Sequence, residues 1–307
     1  MKLQQALKVS LNGLLMQMLG VQVLFGFQFQ GLFQDNFAAL PPPGRIVDAA
    51  GLGLMVAALG LMIAVPCQHR IVEEGETTPR IFRSSEWYAQ LALLPLAGGI
   101  GCDIFVATLG PFGMLLSSAL SSATFVLALT CWYALAAGLR HKWSVDGRGV
   151  SMEREETPIH TKIEQMLTEA RVILPGAQAL IGFQLIVMMT RSFGQLPRAV
   201  QITHLVALAS LALAIVLLIC PAAIHRITFN GADDPRVHTA GSLLITVALL
   251  PLAVAVSCDL WVALTILFGA GAAAVAGSVG AFAFLVVLWF LLPLFLRKRL
   301  AGTAAVA

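Results

Sequence analysis

Asp103 and Asp259 stand inside long apolar runs. A carboxylate at the centre of a bilayer costs at least about 2.5 kcal/mol, so an intramembrane acid is a candidate for ion or proton handling. Each lies a few residues from the end of its run, a depth at which an interfacial or structural role is also open. Asp48 and His204 stand at corresponding places near the ends of two other runs, where a carboxylate could pair with an imidazole. The sharper expectation is that Asp48, Asp103, His204 and Asp259 gather into one polar cluster. Amides come next, because an amide in hydrocarbon must find partners. Gln22 and Gln178 fall near the middle of their runs, with Gln28 and Gln184 nearer one end. Six residues of helix turn a side chain to a direction about 120 degrees away, so the two glutamines of one run cannot share a partner. Gln22, Gln178, Asp103 and Asp259 are therefore the candidate contacts for a solute or ion. Interhelical hydrogen bonding is the plainer reading of the amides.

Glu169 and Arg171 open another apolar run just before Pro175-Gly176, while His69-Arg70 and His225-Arg226 close two more. Basic residues at such ends are what membrane topology and the negative helix C-terminus favour. Glu169 with Arg171 is the exception, a candidate polar pair alongside Asp48 and His204. No other chemistry is signalled: there is no H-E-x-x-H, nucleophile elbow, Walker loop or dinucleotide fingerprint. The histidines do not have haem-ligand spacing. The five cysteines form no C-x-x-C pair and read as small buried hydrophobes. The expectation is a protein with no cofactor, no metal and no catalytic residues.

These residues are positioned by a sequence written twice. Gly20-Val21-Gln22-Val23-Leu24-Phe25-Gly26-Phe27-Gln28 returns as Gly176-Ala177-Gln178-Ala179-Leu180-Ile181-Gly182-Phe183-Gln184. At the same offset His69-Arg70-Ile71 falls on His225-Arg226-Ile227, Pro79-Arg80 on Pro235-Arg236, Pro95 on Pro251 and Cys102-Asp103 on Cys258-Asp259. The matches include Gly, Pro, Gln, His, Arg, Cys and Asp, so shared apolar composition does not account for them. The chain is a tandem duplication.

Of the 307 residues 58% are hydrophobic and 11% charged, against about 25% charged in a soluble domain. An integral membrane protein is expected, with the lipid bilayer as its partner. A net charge of +3 is too small to suggest nucleic acid. A spanning helix needs about 20 apolar residues, and eight segments qualify: 10–33, 46–66, 87–107, 112–138, 170–190, 202–222, 241–263 and 269–294. Lys2 and Lys8 before the first run resemble a signal peptide, but the segment aligns with an internal helix and reads as retained structure. Of the Lys and Arg residues only Arg45, Arg191 and Arg198 fall on one side, so the rule of basic cytoplasmic loops puts both termini in the cytoplasm. An even number of crossings per copy makes the copies parallel.

The expected fold is an all-α membrane protein of eight transmembrane helices. A first four-helix repeat covers 1–139, a charged cytoplasmic linker 140–168 and a second repeat 169–307. Ile163, Met166, Leu167 and Ala170 fall at helical spacing and predict an amphipathic lead into the fifth span. Gly113, Ser117 and Ser121, and their counterparts Gly269, Ala273 and Gly277, offer small residues four apart, and helices 4 and 8 are expected to meet through them.

Glu169-Ala170-Arg171, Pro175-Gly176-Ala177-Gln178, Gly182-Phe183, His204-Leu205, Pro221-Ala222-Ala223-Ile224-His225-Arg226 and Val256-Ser257-Cys258-Asp259 carry a resemblance. Residues 160–296 resemble a bacterial family of small four-helix membrane proteins of unknown function. Its usual member has about half this length and carries a Glu-x-Arg, then Pro-Gly-Ala-Gln, then a later His-Arg. The first copy departs from that pattern with Gly13, Leu15 and Leu19 where the second has Glu169, Arg171 and Pro175. The pair is needed once per molecule, or the first copy has degenerated. The resemblance implies the bacterial inner membrane, leaves homo-oligomer formation open, and brings no activity.

Two function classes remain. One is a channel or transporter for a small ion or solute along the axis between the repeats. The other is a non-enzymatic membrane scaffold or partner-binding protein. Only amides lie at mid-membrane, where a coupled transporter normally needs an ionisable group, and this tilts the reading to the scaffold.

Overall fold

A computed structural model describes residues 2–34, 37, 40–142 and 156–304. Of the expected linker, 143–155 lie outside the described residues, as do 35, 36, 38 and 39 of the loop before Pro41. The described chain is helical, with no strand among the described residues: α1 Leu3–Gly31, α2 Pro42–Ile71, α3 Pro79–Leu129, α4 Leu135–Lys142, α5 Ile159–Met188, the short α6 Arg191–Gly194, α7 Arg198–Ile227, α8 Pro235–Phe268, α9 Ala272–Val286 and α10 Leu292–Ala304. Single π turns, Thr130–Ala134 and Val287–Leu291, join α3 to α4 and α9 to α10. Among the described residues seven continuous helices are long and apolar enough to cross a membrane. At 1.5 Å per residue, a 30-residue helix such as α2 is about 45 Å long and outreaches the roughly 30 Å hydrocarbon layer.

The two copies form equivalent turns for local reasons. Glu74-Gly75 and Asn230-Gly231 each place two successive residues at positive φ, the second a glycine at 80°. The next helix starts alike in both: Thr78 accepts from the Ile81 amide and Asp234 from that of Arg236, with proline at the first helical position. At the other end of the bundle Gly113 and Gly269 have φ of 73° and 86°. At Gly113 the long helix α3 breaks and doubles back. The Ser121 hydroxyl donates to the Gly101 carbonyl at 2.7 Å, and that of Tyr133 to the Gln90 carbonyl. Ser278 donates to the Ser257 carbonyl in the second copy at 2.9 Å. The small residues expected to join helices 4 and 8 instead close each hairpin within its own copy.

Contact between the copies runs along α1 and α5 and advances in step along both. Lys8 pairs with Glu164, 156 residues on, at 2.6 Å. Further along, Gln22 lies on Gly176, and Phe27 meets Phe183 with ring centroids 4.6 Å apart. The predicted amphipathic lead is the start of α5, with Ile163, Met166 and Ala170 buried and Leu167 partly so.

Equivalent helices do not have equivalent surroundings. In the most apolar stretches of α2 and α8, 56% of residues are buried, against 28% for α7 and 17% for 272–302. Gly60 of α2 admits the last helix: Trp289 is fully buried and donates to the Gly60 carbonyl at 2.9 Å, and a Cβ at Gly60 would stand 2.5 Å from Phe284. In α7 the corresponding residue is Val216, 58% exposed, and Trp132 in the first copy is only partly buried.

The start of α5 is tied to the Gly75 turn. Glu76 takes the Lys162 ammonium at 2.5 Å and the Thr157 amide at 3.2 Å. Burial pushes the Glu76 carboxyl up, but the bonds from Lys162 and Thr157 outweigh it and hold the group below its ordinary value of 4.5. A carboxyl depressed in the folded state stabilises above its unfolded pKa and stops doing so as the pH falls through the folded one. The melting temperature of the detergent-solubilised protein should therefore fall on acidification below about pH 4.5, and less so in Glu76→Gln. Identical acid profiles for the two proteins would refute this tie.

Candidate functional site

At the Pro41 end each copy brings the same three positions together from its first three helices. In the second copy these are Gln184 of α5, His204 of α7 and Asp259 of α8, all essentially buried. The Gln184 amide donates to Asp259 Oδ2 at 2.5 Å, and His204 Nε2–H donates to the Gln184 carbonyl at 3.1 Å. His204 Nδ1 then faces Asp259 Oδ1 at 3.8 Å, an ion-pair distance rather than a hydrogen bond. Phe29 from the first copy stacks on the imidazole at 5.7 Å, and Phe193 meets it edge-on at 5.2 Å. Among the described residues Gln184 Oε1, His204 Nδ1 and Asp259 Oδ1 are buried without a hydrogen-bond partner.

In the first copy the positions hold Gln28, Asp48 and Asp103. The Gln28 amide donates to the Asp48 carbonyl at 3.0 Å and reaches its carboxylate at 3.4 Å, settled over Gly51, where a Cβ would overlap it. Asp48 is buried and Asp103 partly so. Among the described residues no cation lies within ion-pair distance of either, and Asp48 Oδ2 has no hydrogen-bond partner. The reason is one residue: aspartate stands where the second copy has histidine. Both carboxylates open onto a cavity of about 960 Å³ whose walls include Phe27, Phe37, Leu40 and Val106. Two acids and an amide in an apolar cavity are suited to a positive charge carried on an apolar body.

The expected single cluster of Asp48, Asp103, His204 and Asp259 is thus divided two and two, and Phe29 packs on the His204 side. Asp48 does not pair with His204. Gln28 and Gln184, rather than Gln22 and Gln178, are the amides that meet the acids, and their position along the helix, level with the acids, is the signal that points to them. Gln22 is fully buried on Gly176, and neither end of its amide has a partner among the described residues. Gln178 is exposed on the outer face of α5, so the two mid-helix amides do not meet.

Glu169 does not pair with Arg171 either. Two residues apart on a helix, they point about 200 degrees apart. Glu169 turns inward to the other copy: its carboxylate takes His69 Nδ1 on one oxygen and the Arg70 guanidinium at 2.5 Å on the other, all three groups buried. Arg70 also reaches the Thr246 hydroxyl at 3.3 Å. Sequence reading assigned His69-Arg70 to topology alone. Arg171 faces outward with His225 and Arg226.

Helices of this length and hydropathy, laid down twice and carrying buried polar groups, define a multi-pass α-helical membrane protein built by internal duplication. The chain belongs to a family of unknown function (DUF6328), whose model matches residues 2–136 and again 152–293. Comparison with curated proteins and with solved structures returns no match.

Proposed function

We propose that this is a non-enzymatic scaffold or partner-binding protein of the bacterial inner membrane, and that it receives a cationic group in the cavity over Asp48 and Asp103. In this reading the chain crosses eight times as two parallel repeats, 1–139 and 169–307, joined by a cytoplasmic linker, with both termini in the cytoplasm. The glycine turns at Gly113 and Gly269 support eight crossings, and the contacts advancing in step along α1 and α5 support parallel copies. The distribution of Lys and Arg supports the orientation. Its partners are the bilayer and a ligand or protein bearing an amine or guanidinium, and nucleic acid is not expected.

The observation that carries the binding role is the difference between the triads. Where the second copy sets His204 beside Asp259, the first has a second carboxylate, and among the described residues Asp48 and Asp103 have no counter-ion beside an open cavity. Passage along the axis between the repeats has less support, because Gln22 on Gly176 and Phe27 on Phe183 fill that seam.

Tetraphenylphosphonium, an apolar cation, is a direct probe. The purified protein should bind it, and Asp103→Asn should weaken binding about tenfold, as loss of one charged partner does. Gln178→Leu should leave binding unchanged. Equal binding by Asp103→Asn and the native protein would reject the cavity as the site. Proton or cation flux into proteoliposomes above that of empty vesicles would reject the non-transporting reading.

A further inference from the structure

The groove between α5 and α7 at the Gly75 end presents positive charge that none of the described residues answers. Arg171, His225 and Arg226 line a cavity of about 760 Å³ that has no carboxylate among its described lining residues. Among the described residues none of the three side chains has an ion-pair or hydrogen-bond partner, and His225 Nε2 is buried without one. The chain itself supplies the pattern for what such a pair holds. His69-Arg70, the same dipeptide at the equivalent place, closes on one anionic group, with one oxygen on the imidazole and the other on the guanidinium. For His225-Arg226 the corresponding carboxylate is missing, because the residue equivalent to Glu169 is Gly13, exposed and placed so that an added Cβ would meet open space. Arg171 adds a third cation in its stead.

The rest of the groove is apolar. Ile219 and Ala222 remain exposed beside the cations, on a helix of which most is not covered by protein. A ligand fitting both parts has an anionic head with at least two oxygens and a hydrocarbon body. We propose that this groove binds the phosphate of an acidic phospholipid, held by Arg171, His225 and Arg226, with an acyl chain lying along Ile219 and Ala222. A guanidinium takes phosphate oxygens in pairs, which gives the contact strength and geometry beyond a general attraction of basic residues to the membrane surface.

The test is native mass spectrometry of the full chain, released from detergent after equilibration with equal amounts of dioleoyl phosphatidylglycerol and dioleoyl phosphatidylcholine. The native protein should retain phosphatidylglycerol about tenfold over phosphatidylcholine, and Arg171→Gln/Arg226→Gln should abolish the preference. Arg191→Gln, at the opposite end, should keep it. Inorganic phosphate in the same assay should compete only weakly, since it lacks the acyl contact. If the double variant does not fold, His225→Gln alone should still lower the preference about threefold. Equal retention of the two lipids, or a preference undiminished in whichever of these variants folds, overturns the proposal. So does inorganic phosphate binding as tightly as the lipid, which assigns the site to a soluble anion. A chain dimer that the variants disrupt instead assigns the groove to a carboxylate of a second copy, and also overturns it.

Discussion

Glu169→Ala should lower the unfolding free energy of the detergent-solubilised protein by about 3–5 kcal/mol, the cost of leaving a buried charge without its partner. The Arg70 side chain is 2% exposed and would keep only the Thr246 hydroxyl at 3.3 Å. The imidazole of His69 would also lose its bond. Glu169→Gln keeps the volume and removes the charge, so most of the loss should persist. Replacing both partners, as in Arg70→Met with Glu169→Met, should cost much less than either single change, because no charge is then left in the interior. Arg171→Gln, two residues on but facing the open groove, should change stability by less than about 0.5 kcal/mol. Urea or thermal unfolding of these five proteins decides the matter. A loss below about 1 kcal/mol in Glu169→Ala would mean the clamp does not hold the copies together.

The second large effect distinguishes two tryptophans, Trp132 and Trp289, which correspond once the register between the copies slips by one residue, a slip that also matches Arg140 with Arg297. Trp289→Ala should destabilise by about 3 kcal/mol, the low end for an aromatic removed from a core. The low end applies because lipid tails are as apolar as the protein interior, so packing and one hydrogen bond are lost with little transfer energy. Phe284 and Leu285 occupy the space that Gly60 leaves on α2, and the buried indole donates to the Gly60 carbonyl at 2.9 Å. Trp132→Ala, in the partly buried first-copy position, should cost less than about 1 kcal/mol. Equal losses at the two positions would contradict the unequal packing of α2 and α7. Gly60→Leu gives the same reading from the other side, since a Cβ already meets Phe284 at 2.5 Å.

Much of the candidate site was legible from residue types. Asp48, Asp103, His204 and Asp259 were singled out because charge in an apolar run is costly. That they sort by copy, each set with its own glutamine, required the rotation of the helices. Gln28 and Gln22 are equally polar in the sequence, yet one bridges to Asp48 while the other is pressed on Gly176 with no partner for its amide among the described residues. His69-Arg70 and His225-Arg226 are the same letters. One is a buried clamp and the other lines an open groove, because α2 is enclosed by neighbours and α7 is not.

The amino-acid sequence by itself determined the duplication, the helices and their turns. Apolar runs of spanning length, proline and a capping side chain at helix starts, and glycine at 75, 113, 231 and 269 act within a few residues of chain, so both copies obey them alike. Only the tertiary structure decided which copy's groups meet: Glu169 with His69 and Arg70, Trp289 with Gly60, and Phe29 over His204. Those contacts depend on how whole helices rotate and stack. In a duplicated chain each residue has two formally equivalent partners, and small differences, Gly60 against Val216 or Gly13 against Glu169, determine which packing is filled.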